Sequence, residues 1–392
     1  MDFQGRIPVV ILGGSHNALS ISRSLGKRGV PIYLYTRKNN HANWSRYVSK
    51  NYPYEIGQSP TELWKKLLLE EPPQTLEDAV TLPCNDQAVE FVCHNYEELK
   101  RRYRLVEIRP QIQLKMLNKL ETLKLAKAAG IPYPKFLEID GNLQALPDDF
   151  QFPVMVRPEH SHLFQKRFDG KKLFIVHNPA ELQSALKLVR EAGIKAIISE
   201  IIPGADSLLC SYYTYIDEND QPLFTLTKRI IRRFKKNHGL ASYHITDWNP
   251  EVAELGQKFL AESGYRGLAN VEFKRDVRDG KLKIIECNCR FTAAQELLVK
   301  SGLDLAGMVY RKLTGQPFEV NPSYRKNVTY WYPVRDFLEF LELRRFGELK
   351  VGQWIKSVAR PHVLPFFSLA DPAPSIIPVI HDVLNKFRPQ KV

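Results

Sequence analysis

The tightest constraint on this chain is a pair of short apolar runs joined through Asp279-Gly280, with ANVEFKRD before the turn and KLKIIECNCR after it. An Asp-Gly pair between two such runs marks a β-hairpin, because glycine takes the positive φ that a tight turn requires. On the second run Glu286, Asn288 and Arg290 recur at every second residue. That period puts all three on one face of a strand. Antiparallel pairing places Glu272, on the first run, beside Glu286. Two carboxylates, a carboxamide and an arginine then project together. Oxygen donors of this kind suit magnesium, which keeps part of its coordination for water and substrate phosphate. The bland alternative is a solvent-facing strand with ordinary polar alternation. Cys287 and Cys289 fall on the opposite face.

The rest of the chain divides by pattern. Residues 7–12 read as a buried strand, Gly13-Gly14-Ser15 as a turn, 18–28 as a helix closed by Gly29, and 31–36 as a second strand, which makes a βαβ unit of a parallel sheet. A strand at 79–83 and a helix at 86–101 complete a small open α/β domain. Asn85 and Asp86 are helix-cap residues or substrate contacts. Gly13-Gly14-Ser15 can cradle an anion but lacks the full dinucleotide pattern. Beyond a helix at 118–129, strands are predicted at 154–156, 172–176, 196–202, 209–216, 223–231, 269–274 and 282–287. Helices are predicted at 180–192, 250–263, 292–300 and 337–345. Strand runs interrupted by single helices point to α+β layers. The proline-rich stretch 360–380 is expected to wrap the surface.

Composition removes several classes. The five cysteines lack CxxC spacing, which argues against a disulfide framework or zinc site and favours a reducing cytoplasm. No signal peptide is expected, and no apolar run approaches the ~18 residues of a membrane span. The net charge of +13 fits nucleic acid, a membrane surface or an anionic substrate. The basic residues are scattered apart from Arg229–Lys236, and no nucleic-acid motif is present. A phosphate-bearing small molecule is the expected partner, with neither nucleic acid nor membrane.

Six segments, in order, resemble the ATP-grasp superfamily: LNKLETLKLAKAAGIPYPK, FPVMVRPEHSH, SEIIPGAD, FTLTKRIIRRF, VEFKRD and IIECNCR. The resemblance covers residues 5–315. GGSHNALSISRSLGKRGVPIYLYT and LPCNDQAVEF are similar to a carboxylate-amine ligase branch that includes D-aspartate ligase. The implied fold is an N-terminal Rossmann-like domain (1–112) followed by two α+β lobes that clamp ATP, a small lobe with a linker (113–204) and a lobe with the metal site (205–318). An extension (319–392) follows.

The resemblance implies ATP and magnesium as cofactors, two ions in number, with manganese as a substitute. Glu272, Glu286 and Asn288 would be the metal ligands. Lys119, Arg157, Lys172 and Lys228 would meet phosphates. Arg157 stands where the family usually has lysine, and a guanidinium keeps the charge and adds a fork. Residues 158–172 occupy the place of a flap, with His160, His162, Lys171 and Lys172 as its polar groups. Glu200, Ile201 and Ile202 would hold adenine and Asp206 the ribose, although a turn aspartate rivals that role. Arg290 and Lys228 would be catalytic. For Lys119, Lys172 and the arginines at 229, 232 and 233, plain surface positions are the alternative.

The implied reaction activates a carboxylate as an acyl phosphate and joins it to an amine, releasing ADP and phosphate. The amine is an amino acid or peptide-like acceptor. Rival readings are a carboxylase or carbamoyl-phosphate-type enzyme and a non-catalytic ATP-binding module. A homodimer is the default assembly.

Overall fold

The computed structural model describes residues 6–386, apart from 56, 140–144, 161–163, 165–166, 169 and 236–238; for 381–386 it describes the backbone alone. The chain gathers into two compact units. One holds the described residues up to Pro110, Arg290–Tyr332 and those from Pro361 on; the other holds Gln111–Cys289 and Pro333–Arg360.

The first unit is built on a parallel sheet of β1 (Val9–Leu12), β2 (Ile32–Tyr35), β3 (Lys50–Asn51) and β4 (Val80–Pro83), in the order β3-β2-β1-β4. All four residues of β1 are fully buried, as a central parallel strand requires. The first helix, α1 (His16–Gly26), starts two residues earlier than its apolar pattern suggests. Gly13 links β1 to α1 at a φ of 69°, and a Cβ there would lie 2.3 Å from the Asn85 side chain. That close approach excludes any larger residue. Asn85 caps α2 (Asp86–His94), its Oδ1 accepting from the Ala88 amide at 2.8 Å. The helix predicted over 86–101 is broken at Asn95. Its side chain donates to the Phe91 carbonyl and competes with the helical ladder. A short helix, Tyr96–Lys100, follows.

The second unit carries two antiparallel sheets. The smaller joins β5 (Phe136–Glu138), β6 (Val154–Pro158), β7 (Phe174–Val176) and β8 (Ala196–Glu200) in the order β5-β8-β6-β7. The helix α4 (Pro179–Glu191) buries Leu182, Leu186 and Val189 against it, and α3 (Lys119–Ala128) precedes β5. The larger sheet is formed in this unit by β9 (Leu209–Ile216), β10 (Pro222–Phe234), β11 (Leu240–Asp247), β12 (Gly267–Arg275) and β13 (Leu282–Asn288), ordered β13-β12-β9-β10-β11. Behind it, α5 (Pro250–Glu262) packs so closely that a Cβ on Gly256 would lie 2.5 Å from the Tyr212 ring. Strands predicted to start at 172 and to end at 202 are shorter, and β5 and β11 were absent from the sequence reading.

After Gly315 the pattern faded in sequence; the helix expected at 337–345 is present four residues longer as α6 (Pro333–Arg345), and α7 (Val351–Val358), which was not expected, follows it in the second unit. Asp336 of α6 is fully buried and takes a bidentate fork from Arg232 of β10 at 2.7 and 2.9 Å. Trp354 of α7 donates its Nε1 to the same carboxylate at 2.9 Å. In the first unit a further helix, Ala373–Lys386, stands where an irregular surface stretch was expected.

Glu339 of α6 is 1% exposed, and its Oε2 has no hydrogen-bond partner among the described residues. Burial, with Glu342, Asp206 and Asp336 nearby, pushes its carboxyl up from 4.5 to about 7. A raised folded value means the native chain keeps this proton while the unfolded chain loses it. Stability therefore falls as pH rises from 4.5 to about 7 and stays low above that window. Glu339→Gln is expected to remove this slope and to add about 3 kcal/mol at pH 8. Urea denaturation of both proteins across that pH range checks it, and equal slopes would discard the assignment.

Candidate active site

Strand register builds the site. Glu286 lies opposite Glu272, Glu272 opposite Ser211, Ser211 opposite Lys228, and Lys228 opposite Thr246. Directly opposed residues of an antiparallel sheet share a face. The result is one transverse row, Glu286–Glu272–Ser211–Lys228–Thr246, across five strands. The neighbouring row is Asn288–Asn270–Tyr213–Leu226. The residues between them point to the other face, where Cys287 is buried.

The acidic end of the row is compact. Asn288 Nδ2 donates to Glu272 Oε1 at 3.2 Å and to Glu286 Oε1 at 3.0 Å. Asn270 Nδ2 donates to Glu272 Oε1 at 3.1 Å. Turning the Asn288 amide over would present its oxygen beside the two carboxylates. Lys119, at the first position of α3, forms an ion pair with Glu286. Its helix is pinned to the end of β6: the Lys119 amide donates to the Glu159 carbonyl at 3.0 Å, and Asn118 Nδ2 donates to the Glu159 carboxylate at 2.8 Å. The charge of Lys119 holds Glu286 well below the usual carboxylate range despite desolvation. Desolvation, with Glu286 alongside, pushes Glu272 up. Two like charges side by side divide in this way when a cation sits on one of them.

The cations are out of balance with these acids. Arg157, in β6, is 7% exposed, and its Nε and Nη2 have no hydrogen-bond partner among the described residues. Burial lowers it to about 10, against the pull of Glu286. Lys228 is 5% exposed, donates to Ser211 Oγ at 2.9 Å and is lowered by burial. Lys172, two residues before β7, is also lowered by desolvation within the field of Glu286 and Glu272. Arg233 acts on both Glu272 and Lys172. Five cations thus surround Glu272, Glu286 and Asp206. A buried guanidinium with two unused donors is costly unless an anion completes it.

Lys119, Arg157, Lys172, Lys228, Glu272, Glu286 and Asn288 share one electrostatic neighbourhood. Arg290 does not continue the alternation, because β13 ends at Asn288. It belongs to the first unit, where its Nε donates to Asp86 Oδ1 at 2.5 Å. Glu200 is not an open acceptor. Its Oε1 takes the Lys135 amide at 3.0 Å and Lys283 at 3.3 Å, and its Oε2 takes Arg278 at 2.9 Å. Asp206 is held by Arg233 in a fork of 2.6 and 3.2 Å, so a sugar hydroxyl would compete with a guanidinium. Ile201 and Ile202 follow β8, and the Ile202 carbonyl accepts from Lys274 Nζ at 2.9 Å. Of the flap residues, His162 lies outside the described residues. Ser211 and Asn270 were missed, since only register reveals them. No group of three or more His, Cys, Asp and Glu side chains poised for a metal occurs among the described residues; the candidate set has two carboxylates and one amide.

No family model matches the chain. A D-aspartate ligase of Enterococcus faecium is 25% identical over 354 residues, which is 84% of this chain and 84% of that protein. The crystal structure of an L-amino acid ligase from Bacillus licheniformis matches with a TM-score of 0.58 at 17% identity, over 81% of this chain and 76% of that one. An N5-carboxyaminoimidazole synthetase from Staphylococcus aureus, solved with ADP, matches at 0.60 and 15% identity, over 89% and 87%. The chain has the ATP-grasp fold. The second unit holds two antiparallel sheets, and the acidic row lies on the larger of them. No helix of the described ATP-grasp chain is long and apolar enough to cross a membrane.

Proposed function

We propose that this ATP-grasp protein is an ATP-dependent carboxylate-amine ligase that transfers the terminal phosphate of ATP to a carboxylate and then joins the acyl group to an amine. The observation that carries the reading is Arg157, a buried guanidinium with two donor nitrogens that have no partner among the described residues, within the field of Glu286. Phosphate oxygens are the natural acceptors for such a fork. The surplus of positive charge around Lys119, Lys172, Lys228 and Arg233 fits a polyanion and not a neutral ligand. Similarity to the D-aspartate ligase and to the amino acid ligase fold supports an amino acid as one of the two substrates.

The donor set fits a magnesium ion, with Glu272, Glu286 and the Asn288 oxygen as its holders. When bound, magnesium would neutralise charge on the phosphate oxygens. Lys119, paired with Glu286 in this structure, would be the cation next to those oxygens. Arg157 and Lys228 hold them in place, and Ser211 keeps the Lys228 ammonium directed into the row. The chain contributes position and charge, and no side-chain nucleophile is needed. Two ions, with manganese able to replace magnesium, are part of the proposal. Asp206, Ile201 and Ile202 remain the groups proposed for the nucleoside, with Arg233 moving off Asp206 as it binds. Arg290 is proposed to take the substrate carboxylate, exchanging Asp86 for it. A cytoplasmic setting and a homodimer complete the reading.

The test is an ADP-release screen over amino acids as acid and amine, run with hydroxylamine as trap. An acyl phosphate yields a hydroxamate that depends on both ATP and the acid. ADP release without hydroxamate or amide, dependent on bicarbonate alone, would replace this reading with the carboxylase one.

A further inference from the structure

The hairpin of α6 and α7 wears its polarity inside out. Along α6 the inward positions include the carboxylates Asp336 and Glu339. The outward positions Val334, Phe337, Leu338 and Leu341 are 68%, 47%, 42% and 45% exposed. Their spacing of three, four and seven residues makes one continuous stripe. No residue of α7 is buried, and its Val351 and Ile355 are 41% and 51% exposed. The Phe337 and Trp354 rings lie 5.9 Å apart, so the stripes of the two helices adjoin. An apolar stripe this long on the water side is the mark of a surface that meets something else.

Charge says what that is. Arg344, Arg345, Lys350 and Lys356 are exposed on the same helices and the loop between them, while Glu348 is the one exposed acid of residues 333–360. Arg344 and Arg345 follow Leu341 by three and four residues and so end the stripe. A second copy docking this face on itself would set these cations against their own equivalents. We propose that the hairpin lies on an anionic lipid surface, its apolar stripe in the headgroup boundary and its cations on the lipid phosphates.

Flotation of the full chain with vesicles tests this. Vesicles of phosphatidylcholine with a third of phosphatidylglycerol should carry the protein at low salt, and phosphatidylcholine alone should not. Phe337→Ser with Leu341→Ser, and separately Arg344→Glu with Arg345→Glu, should each lower the bound fraction by about tenfold. All four side chains face outward, so circular dichroism and ADP release in solution should stay unchanged. Absence of flotation, equal flotation without phosphatidylglycerol, or full binding by both variants would each overturn the proposal. A concentration-dependent dimer that the serine pair dissolves, without flotation, would overturn it in favour of a second copy.

Discussion

Glu286→Gln is expected to lower ADP release by about a hundred- to a thousandfold while leaving the sheet intact. Glutamine keeps the volume of the side chain and its contact with Asn288. It removes the charge that pairs with Lys119 and acts on Arg157 and Lys172. The site then holds five cations against one fewer acid, so metal-free ATP should bind no more weakly than to the parent chain. What disappears is the increment in affinity that magnesium adds. Titration calorimetry with and without the ion separates these effects. Turnover within twofold of the parent, or an unchanged magnesium increment, would remove Glu286 from the proposed metal site.

Arg157→Met should act on stability and on ligand binding in opposite directions. The nucleotide-free chain buries a guanidinium with two donors unmade. A thioether of similar length avoids that desolvation cost, and the free protein should gain about 1–3 kcal/mol. Charged hydrogen bonds to phosphate would be lost, and nucleotide affinity should drop about tenfold to a hundredfold. The parent chain is stabilised by nucleotide according to mass action, about 2.7 kcal/mol at a hundredfold excess over Kd. The variant, at the same concentration, should gain far less. Denaturation with and without ATP gives both quantities. A destabilised free variant would mean that Arg157 has a partner in the fold and is no waiting phosphate ligand.

The sequence carried the acidic end of the site because its geometry is local. Glu272, Glu286 and Asn288 sit on two strands joined by Asp276–Lys281, and period two fixes their face. Lys228 was legible for the same reason. What escaped lies in distant pairing. Glu200 looked like an open acceptor because Arg278 and Lys283 are about eighty residues away. That Asp206 is held by a guanidinium was hidden because Arg233, 27 residues on, reads as one arginine in a basic run. Arg290 was placed by extending an alternation past the point where the strand stops. Strand β11 was missed although Ala241, Tyr243 and Ile245 alternate with Ser242, His244 and Thr246; both faces are buried, and the polar one needs partners that lie far off in sequence, such as Asp336 for Ser242. The end of the chain gave no sign that α6 would return to the second unit. Its buried positions hold two carboxylates beside Phe340, while Val334, Phe337, Leu338 and Leu341 are exposed, which departs from the pattern that sequence reading seeks.

The order of synthesis adds a condition. Arg232 leaves the ribosome 104 residues before Asp336, its bidentate partner, and Trp354 follows later still. Between them the chain makes Arg290–Tyr332, which belongs elsewhere. A nascent chain halted within that stretch holds an arginine on β10 with its destined carboxylate unmade. The larger sheet is therefore sealed late, only when α6 arrives about a hundred residues behind the arginine that it pairs with.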